Sequence, residues 1–131
     1  MSATAETKWT PVGRSINEIV SDLSKPIPDA FLRERKQGGT VLTYIPWHNA
    51  TRILDAYAPG WSYHVEIHHH GDKVLAIATI SVIAAEGIVV RQATGYEDED
   101  KSGFGDPFSN SESMALRRAA AKFGLGRYLY K

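Results

Sequence analysis

The sequence predicts an α+β domain: an antiparallel β-β-β-α core preceded by an N-terminal helix. Three observations predict it. Between Trp61 and Tyr96 lie three stretches of strand-like alternation or β-branched enrichment, separated by the short turns Gly71–Asp72 and Glu86–Gly87. Before them, two segments carry apolar residues at helical spacing and end at prolines. After them, Met114 to Phe123 repeats the helical spacing and stops at Gly124 and Gly126. The order helix, strand, helix, three strands, helix has no βαβ alternation, which argues against a parallel sheet.

Each element has its own local signal. Residues 1–10 read as a flexible end, and residues 11–131 as one domain. Ser15 and Glu18 form a capping-box pattern ahead of Ile16, Ile19, Val20 and Leu23, and Pro26 and Pro28 break that helix. Phe31 to Gly39 reads as a basic loop or turn opening into a strand, Thr40 to Ile45. Pro46 suits a first helical position, and Trp47, Ala50, Ile53, Leu54 and Tyr57 follow with helical spacing up to Pro59–Gly60. In the meander, Trp61, Tyr63, Val65 and Ile67 share one face of the first strand. Val74, Ala76, Ala78, Ile80 and Val82 share a face of the second. Trp47 and Trp61 are assigned to the core. Glu97 to Pro107 reads as a solvated acidic loop, and Ser109 with Glu112 as the capping box of the last helix.

Composition narrows the function. A chain of 131 residues is long enough for its own core, and no apolar stretch reaches membrane-spanning length. The absence of cysteine excludes disulfides, thiolate metal sites and cysteine nucleophiles, and fits a reducing compartment. The opening MSATAETKW lacks the basic-then-apolar pattern of a secretory signal. The expected location is the cytoplasm. Fifteen Lys and Arg balance fifteen Asp and Glu, but the charges are segregated. Glu97 to Asp100 is acidic, Arg33, Arg35 and Lys36 form one basic cluster, and Arg117 to Lys131 holds five cations and no carboxylate. A neutral chain with charge so divided can still present a positive groove.

The residues point to binding rather than catalysis. His64, His68 and His70 share a strand face with Glu66, yet they end at a hairpin tip where polar side chains meet water, so no metal site is assigned. No nucleophile elbow, triad context or phosphate-cradling glycine loop is present, and no catalytic residue or cofactor is assigned. Cations interleaved with aromatics fit a single-stranded nucleic acid, held by its backbone with rings available for stacking. The candidate residues are Arg33, Arg35, Lys36 and Tyr44 in one patch and Arg117, Arg118, Lys122 and Arg127 in the other. For any one tyrosine here, packing is as good an explanation as stacking.

Two blocks, FLRERKQGGTVLTYIPWHNATRILDAYAPGW and SMALRRAAAKFGLGRYLY, resemble the Rad-fifty-two superfamily of single-strand annealing proteins. The ending KFGLGRYLY is most similar to its bacterial and phage branch, which includes the DdrA-type DNA-damage response proteins. The resemblance covers residues 27 to 130. It implies a β-β-β-α core assembled into a homo-oligomeric ring, with a basic groove that holds single-stranded DNA by the backbone and leaves bases open to pair. By position, Arg35 matches an arginine that contacts DNA, Tyr44 a tyrosine near the groove, and Arg117 and Arg118 the paired basic residues of the groove helix. Phe123 and Gly124 match packing and termination residues, and Tyr130 is expected to shape the fold with them. Three positions depart from the family pattern. Ala121 and Ala85 stand where relatives carry basic residues, and Met114 where an acidic residue often precedes the pair.

The expectation is therefore a non-catalytic protein that binds and anneals single-stranded DNA in repair and recombination. Its expected partners are single-stranded DNA, further copies of itself, and a recombinase or single-strand-binding protein, with no membrane. The alternative is a homo-oligomeric scaffold whose basic helix lies in a subunit interface. A metal-dependent hydrolase using the histidines is a distant third.

Overall fold

The computed structural model describes residues 14–98 and 106–130. Three helices appear in it: α1 (Ile16–Leu23), α2 (Trp47–Tyr57) and α3 (Pro107–Ala121). The strands are β1 (Arg33–Gln37), β2 (Thr40–Tyr44), β3 (Ser62–His70), β4 (Lys73–Ala84) and β5 (Gly87–Asp98). Short 3-10 turns occupy Asp29–Phe31 and Arg127–Leu129. The α+β class and the antiparallel β-β-β-α core follow the sequence prediction. The flexible end expected at residues 1–10 and most of the acidic connection, residues 99–105, lie outside the described residues.

β3, β4 and β5 form one antiparallel sheet in that order. The alternation of β4 divides its faces: Val74, Ala76, Ala78, Ile80 and Val82 are fully buried, while the residues between them are only partly so. α3 lies across the buried face. Small residues on both sides let it approach closely, with Ala115, Ala119 and Ala120 on the helix and Ala76, Ala78 and Ala93 on the strands all buried. Gly95 sets the distance. A Cβ there would meet the Ser111 carbonyl oxygen at 2.5 Å and the Ala115 nitrogen at 2.7 Å. The buried Ser111 hydroxyl donates to the Val74 carbonyl at 3.1 Å, so this buried polar side chain is satisfied.

Both ends of α3 are secured. Leu125 N–H bonds the Ala120 carbonyl at 3.2 Å and Gly124 N–H bonds that of Ala121 at 2.8 Å. These paired bonds are those of a Schellman motif, and Gly124 supplies the positive φ of 109° that it needs. Phe123 and Leu125 then enter the core beside Ile19 and Leu23 of α1 and Leu54 of α2. At the other end the helix starts earlier than the capping box predicted. Asp106 is the N-cap, its carboxylate accepting from Ser109 N–H at 2.8 Å, and Pro107 opens the first turn. Aspartate followed by proline is itself a strong start signal, and it outranks the serine within the first turn.

Four other expectations need correction. Arg33–Gln37 is a strand, not a loop, paired antiparallel with β2 from Arg33↔Tyr44 to Gln37↔Thr40. RERKQ has no apolar alternation, so its strand character comes from its partner and its turn. Gly38 and Gly39, with φ of 58° and 81°, supply the two positive values of a type I′ hairpin. Trp47 is not in the core but 51% exposed, its ring edge-on to His48, because the first turn of α2 faces solvent on that side. Pro46 is the N-cap of α2 rather than its first residue. Glu97 and Asp98 extend β5 instead of opening a loop: Glu97 accepts from Asn110 at 2.9 Å and Asp98 from Lys73 at 2.5 Å.

Candidate nucleic-acid interface

The β1–β2 ribbon is a sheet of its own with sparse contact to the rest of the fold, and Val41 at its tip is 52% exposed. Register sorts its residues. Arg33, Arg35, Leu42 and Tyr44 share one face, while Glu34, Lys36, Val41 and Thr43 share the other. The predicted basic patch is thus split, with Lys36 turned away from Arg35 and Tyr44. Arg33 donates to the carbonyls of Ala30 at 3.2 Å and Leu32 at 2.9 Å, folding back onto the turn before the strand.

At the base of the ribbon the two predicted patches become one. The Tyr44 ring has the Arg35 guanidinium carbon 5.8 Å from its centroid and that of Arg117, from α3, 5.6 Å away. Both distances lie within cation–π range. Burial, the largest cause, lowers the pKa of Arg117 from its ordinary value; the Tyr130 and Tyr44 hydroxyls oppose that shift, and the Arg35 charge adds to it. Arginine stays charged through such a shift. Two guanidinium groups, Arg117 partly buried and Arg35 exposed, are therefore held at one aromatic ring.

Next to this cluster is an open pocket of about 560 Å³ between β5 and the end of α3, bordered by Thr94, Arg118, Ala121, Lys122, Arg127 and Tyr130. Arg118 donates to the Thr94 carbonyl at 3.0 Å, fixing its stem along the β5 edge. Arg127 donates through Nε to the Ala121 carbonyl at 3.0 Å and through Nη2 to that of Lys122 at 2.9 Å. These bonds satisfy the last carbonyls of the helix, where a cation also complements the dipole. Arg127 is thus a helix cap as well as a pocket residue. Lys122 is exposed.

Sequence reasoning missed two participants. Arg91 lies 4.8 Å from the Phe123 centroid and donates to the Lys122 carbonyl at 2.6 Å, so a second arginine caps the same helix end. The available signal was an arginine at an inward position of β5, in step with Val89, Ala93 and Gly95. Tyr130, expected to shape the fold, is 51% exposed, borders the pocket and lies near enough to Arg117 to favour its charged form. The tail's structural tyrosine is Tyr128, whose hydroxyl accepts from Ile27 N–H at 3.1 Å.

The opposite flank of the core is different in character. Tyr63 on β3 stacks on Trp61, with centroids 6.0 Å apart, and donates to Glu112 of α3 at 2.5 Å. Burial first, and Glu112 beside it, push the Tyr63 pKa up to about 12. On the outer face of β3, Glu66 lies 3.7 Å from His64 and 3.4 Å from His68. Among the described residues no group of three or more His, Asp or Glu side chains is arranged to hold a metal ion.

A small antiparallel sheet is backed by one helix, with arginines gathered beside tyrosines on one flank. Comparison with known proteins makes the assignment specific. The chain is 36% identical over 122 residues to DNA repair RAD52-like protein 1, mitochondrial, of Arabidopsis thaliana, covering 91% of this chain and 69% of that protein. It is 34% identical over 124 residues to DNA repair RAD52-like protein 2, chloroplastic, of the same plant, covering 91% of this chain and 62% of that protein. No protein-family model matches. The chain belongs to the RAD52-like family of DNA repair proteins.

Proposed function

We propose that this protein binds single-stranded DNA by its backbone and anneals complementary strands, as a non-catalytic factor in repair and recombination. The observation that carries the reading is the meeting of Arg35, Tyr44 and Arg117, one cation from the ribbon and one from α3 at a single ring. Two like charges held together repel, and an anionic phosphate between them relieves that cost. Arg118, Lys122 and Arg127 continue the positive track along the pocket. Phosphate contacts give affinity without sequence preference, which is what annealing of arbitrary strands requires.

A homo-oligomeric ring carrying the groove from subunit to subunit belongs to the same proposal, as does a recombinase or single-strand-binding protein as partner. So does the bacterial and phage DdrA-like branch, which would place the protein in the cytoplasm, at the nucleoid. The names of the two plant relatives put those proteins in mitochondria and chloroplasts.

Salt dependence separates the two readings. The log of the affinity for a short oligothymidylate should fall linearly with log salt, losing about 0.7 in slope for each phosphate contact removed. Arg117→Ala with Arg118→Ala should weaken binding more than tenfold at low salt, flatten the slope and abolish annealing, while the native mass stays the same. Unchanged binding with a broken oligomer would establish the scaffold instead.

A further inference from the structure

We propose that Tyr130 is a nucleobase-stacking subsite, set between two phosphate-binding positions of the groove. The proposal rests on the reading of this groove as a track for single-stranded DNA. Tyr130 leaves the 3-10 turn in extended conformation, its N–H bonded to the Arg127 carbonyl at 3.0 Å, so the backbone beneath it is fixed. Its ring is half exposed and is not part of the core.

Its surroundings are what select a ligand. On one side its hydroxyl lies near Arg117 of the Arg35–Tyr44 cluster and favours that arginine's charged form. On the other, the ring borders the pocket of Arg118, Lys122 and Arg127, whose lining among the described residues includes no carboxylate. The cations alone fit phosphate. An exposed aromatic ring among them adds a surface that phosphate does not use and a base does. At about 560 Å³ the pocket is within the usual size range for small-ligand sites. Stacking engages only the π-face of a base, so its pairing edge stays open to a complementary strand.

The alternative role for Tyr130 is to position Arg117 through its hydroxyl, and the two roles differ in what they require of the DNA. Binding of a short oligothymidylate and of an abasic strand of equal length is measured by fluorescence anisotropy for the full chain, Tyr130→Phe, Tyr130→Ala, and Arg117→Ala with Arg118→Ala. Stacking predicts that Tyr130→Ala weakens oligothymidylate binding about tenfold, the effect of losing one stacked base. It also predicts unchanged abasic binding, an unchanged salt slope, and oligothymidylate binding by Tyr130→Phe well above that of Tyr130→Ala. The proposal fails if Tyr130→Ala has no effect, if it weakens both strands equally, or if Tyr130→Phe is as defective as Tyr130→Ala. If the double arginine variant binds like the wild type, the groove reading itself is wrong, whatever Tyr130 does.

Discussion

The two walls that meet at Tyr44 are built in opposite ways. α3 is fixed by packing: alanines and Gly95 bring it against the sheet, Asp106 caps one end, and a Schellman turn with two arginines closes the other. The β1–β2 ribbon has almost none of this, with one type I′ turn, exposed Val41 and Leu42, and sparse contact elsewhere. Two strands alone are marginally stable in water. The difference assigns their tasks. The helix presents cations in a fixed geometry, and the ribbon supplies an adaptable wall tied to it by cation–π contacts through Tyr44. In the proposed function, one rigid and one compliant wall would let the groove accommodate a backbone of irregular path.

The largest expected effects test that contrast directly. Gly95→Ala places a methyl group against helix backbone that cannot move aside, and should cost about 3 kcal/mol of unfolding free energy. Gly39→Ala meets no atom within 4 Å and strains only its own positive φ. It should leave the global denaturation midpoint nearly unchanged while weakening single-stranded DNA binding. Chemical denaturation of both variants checks this, and equal losses of stability would show that the ribbon belongs to the cooperative core.

A smaller effect separates the faces of the ribbon. Arg35 faces Tyr44 and Arg117, while Lys36 faces the other way. Arg35→Ala should reduce the salt slope by about 0.7, one phosphate contact on a single strand. Lys36→Ala should leave it unchanged, although the two residues are neighbours of equal charge. Equal slopes for the two variants would place the DNA path across both faces.

Much of this was legible in the chain, and what was not has physical causes. The meander announced itself because β4 alternates between a buried and a half-buried face, and the end of α3 because only glycine suits the conformation at Gly124. β1 was hidden because Arg33, Glu34, Arg35 and Lys36 are all exposed and the strand owes its shape to a partner. Trp47 misled because size alone does not place a ring inside; the turn that carries it faces solvent. Within the site, the residue types were readable but their division was not. Arg35 and Lys36 separate only through strand register, and Arg127 and Arg91 acquire their capping role only where the helix ends. Tyr128 and Tyr130 are two residues apart in one motif, and only the bond from Ile27 assigns the first to the fold.

The smallest effect expected distinguishes the two ends of α3 by pH. The cap at the start depends on the Asp106 carboxylate, whose pKa is lowered chiefly by the hydrogen bond from Ser109 N–H. The cap at the finish depends on Arg91 and Arg127, which donate to the carbonyls of Ala121 and Lys122. A carboxyl group with a folded pKa below its unfolded one contributes stability that is present above the unfolded value, near 3.8, and lost as pH falls through the folded one. Acid should therefore loosen α3 from its first turn while the arginine-held end, which carries the groove, stays in place. Asparagine caps about as well as aspartate and does not titrate, so Asp106→Asn should flatten this part of the profile. Thermal midpoints by circular dichroism between pH 5 and pH 2 test the point, with the wild type losing slightly more than the variant on acidification. Parallel profiles would mean that the first turn of α3 is held by its packing on the sheet rather than by its cap.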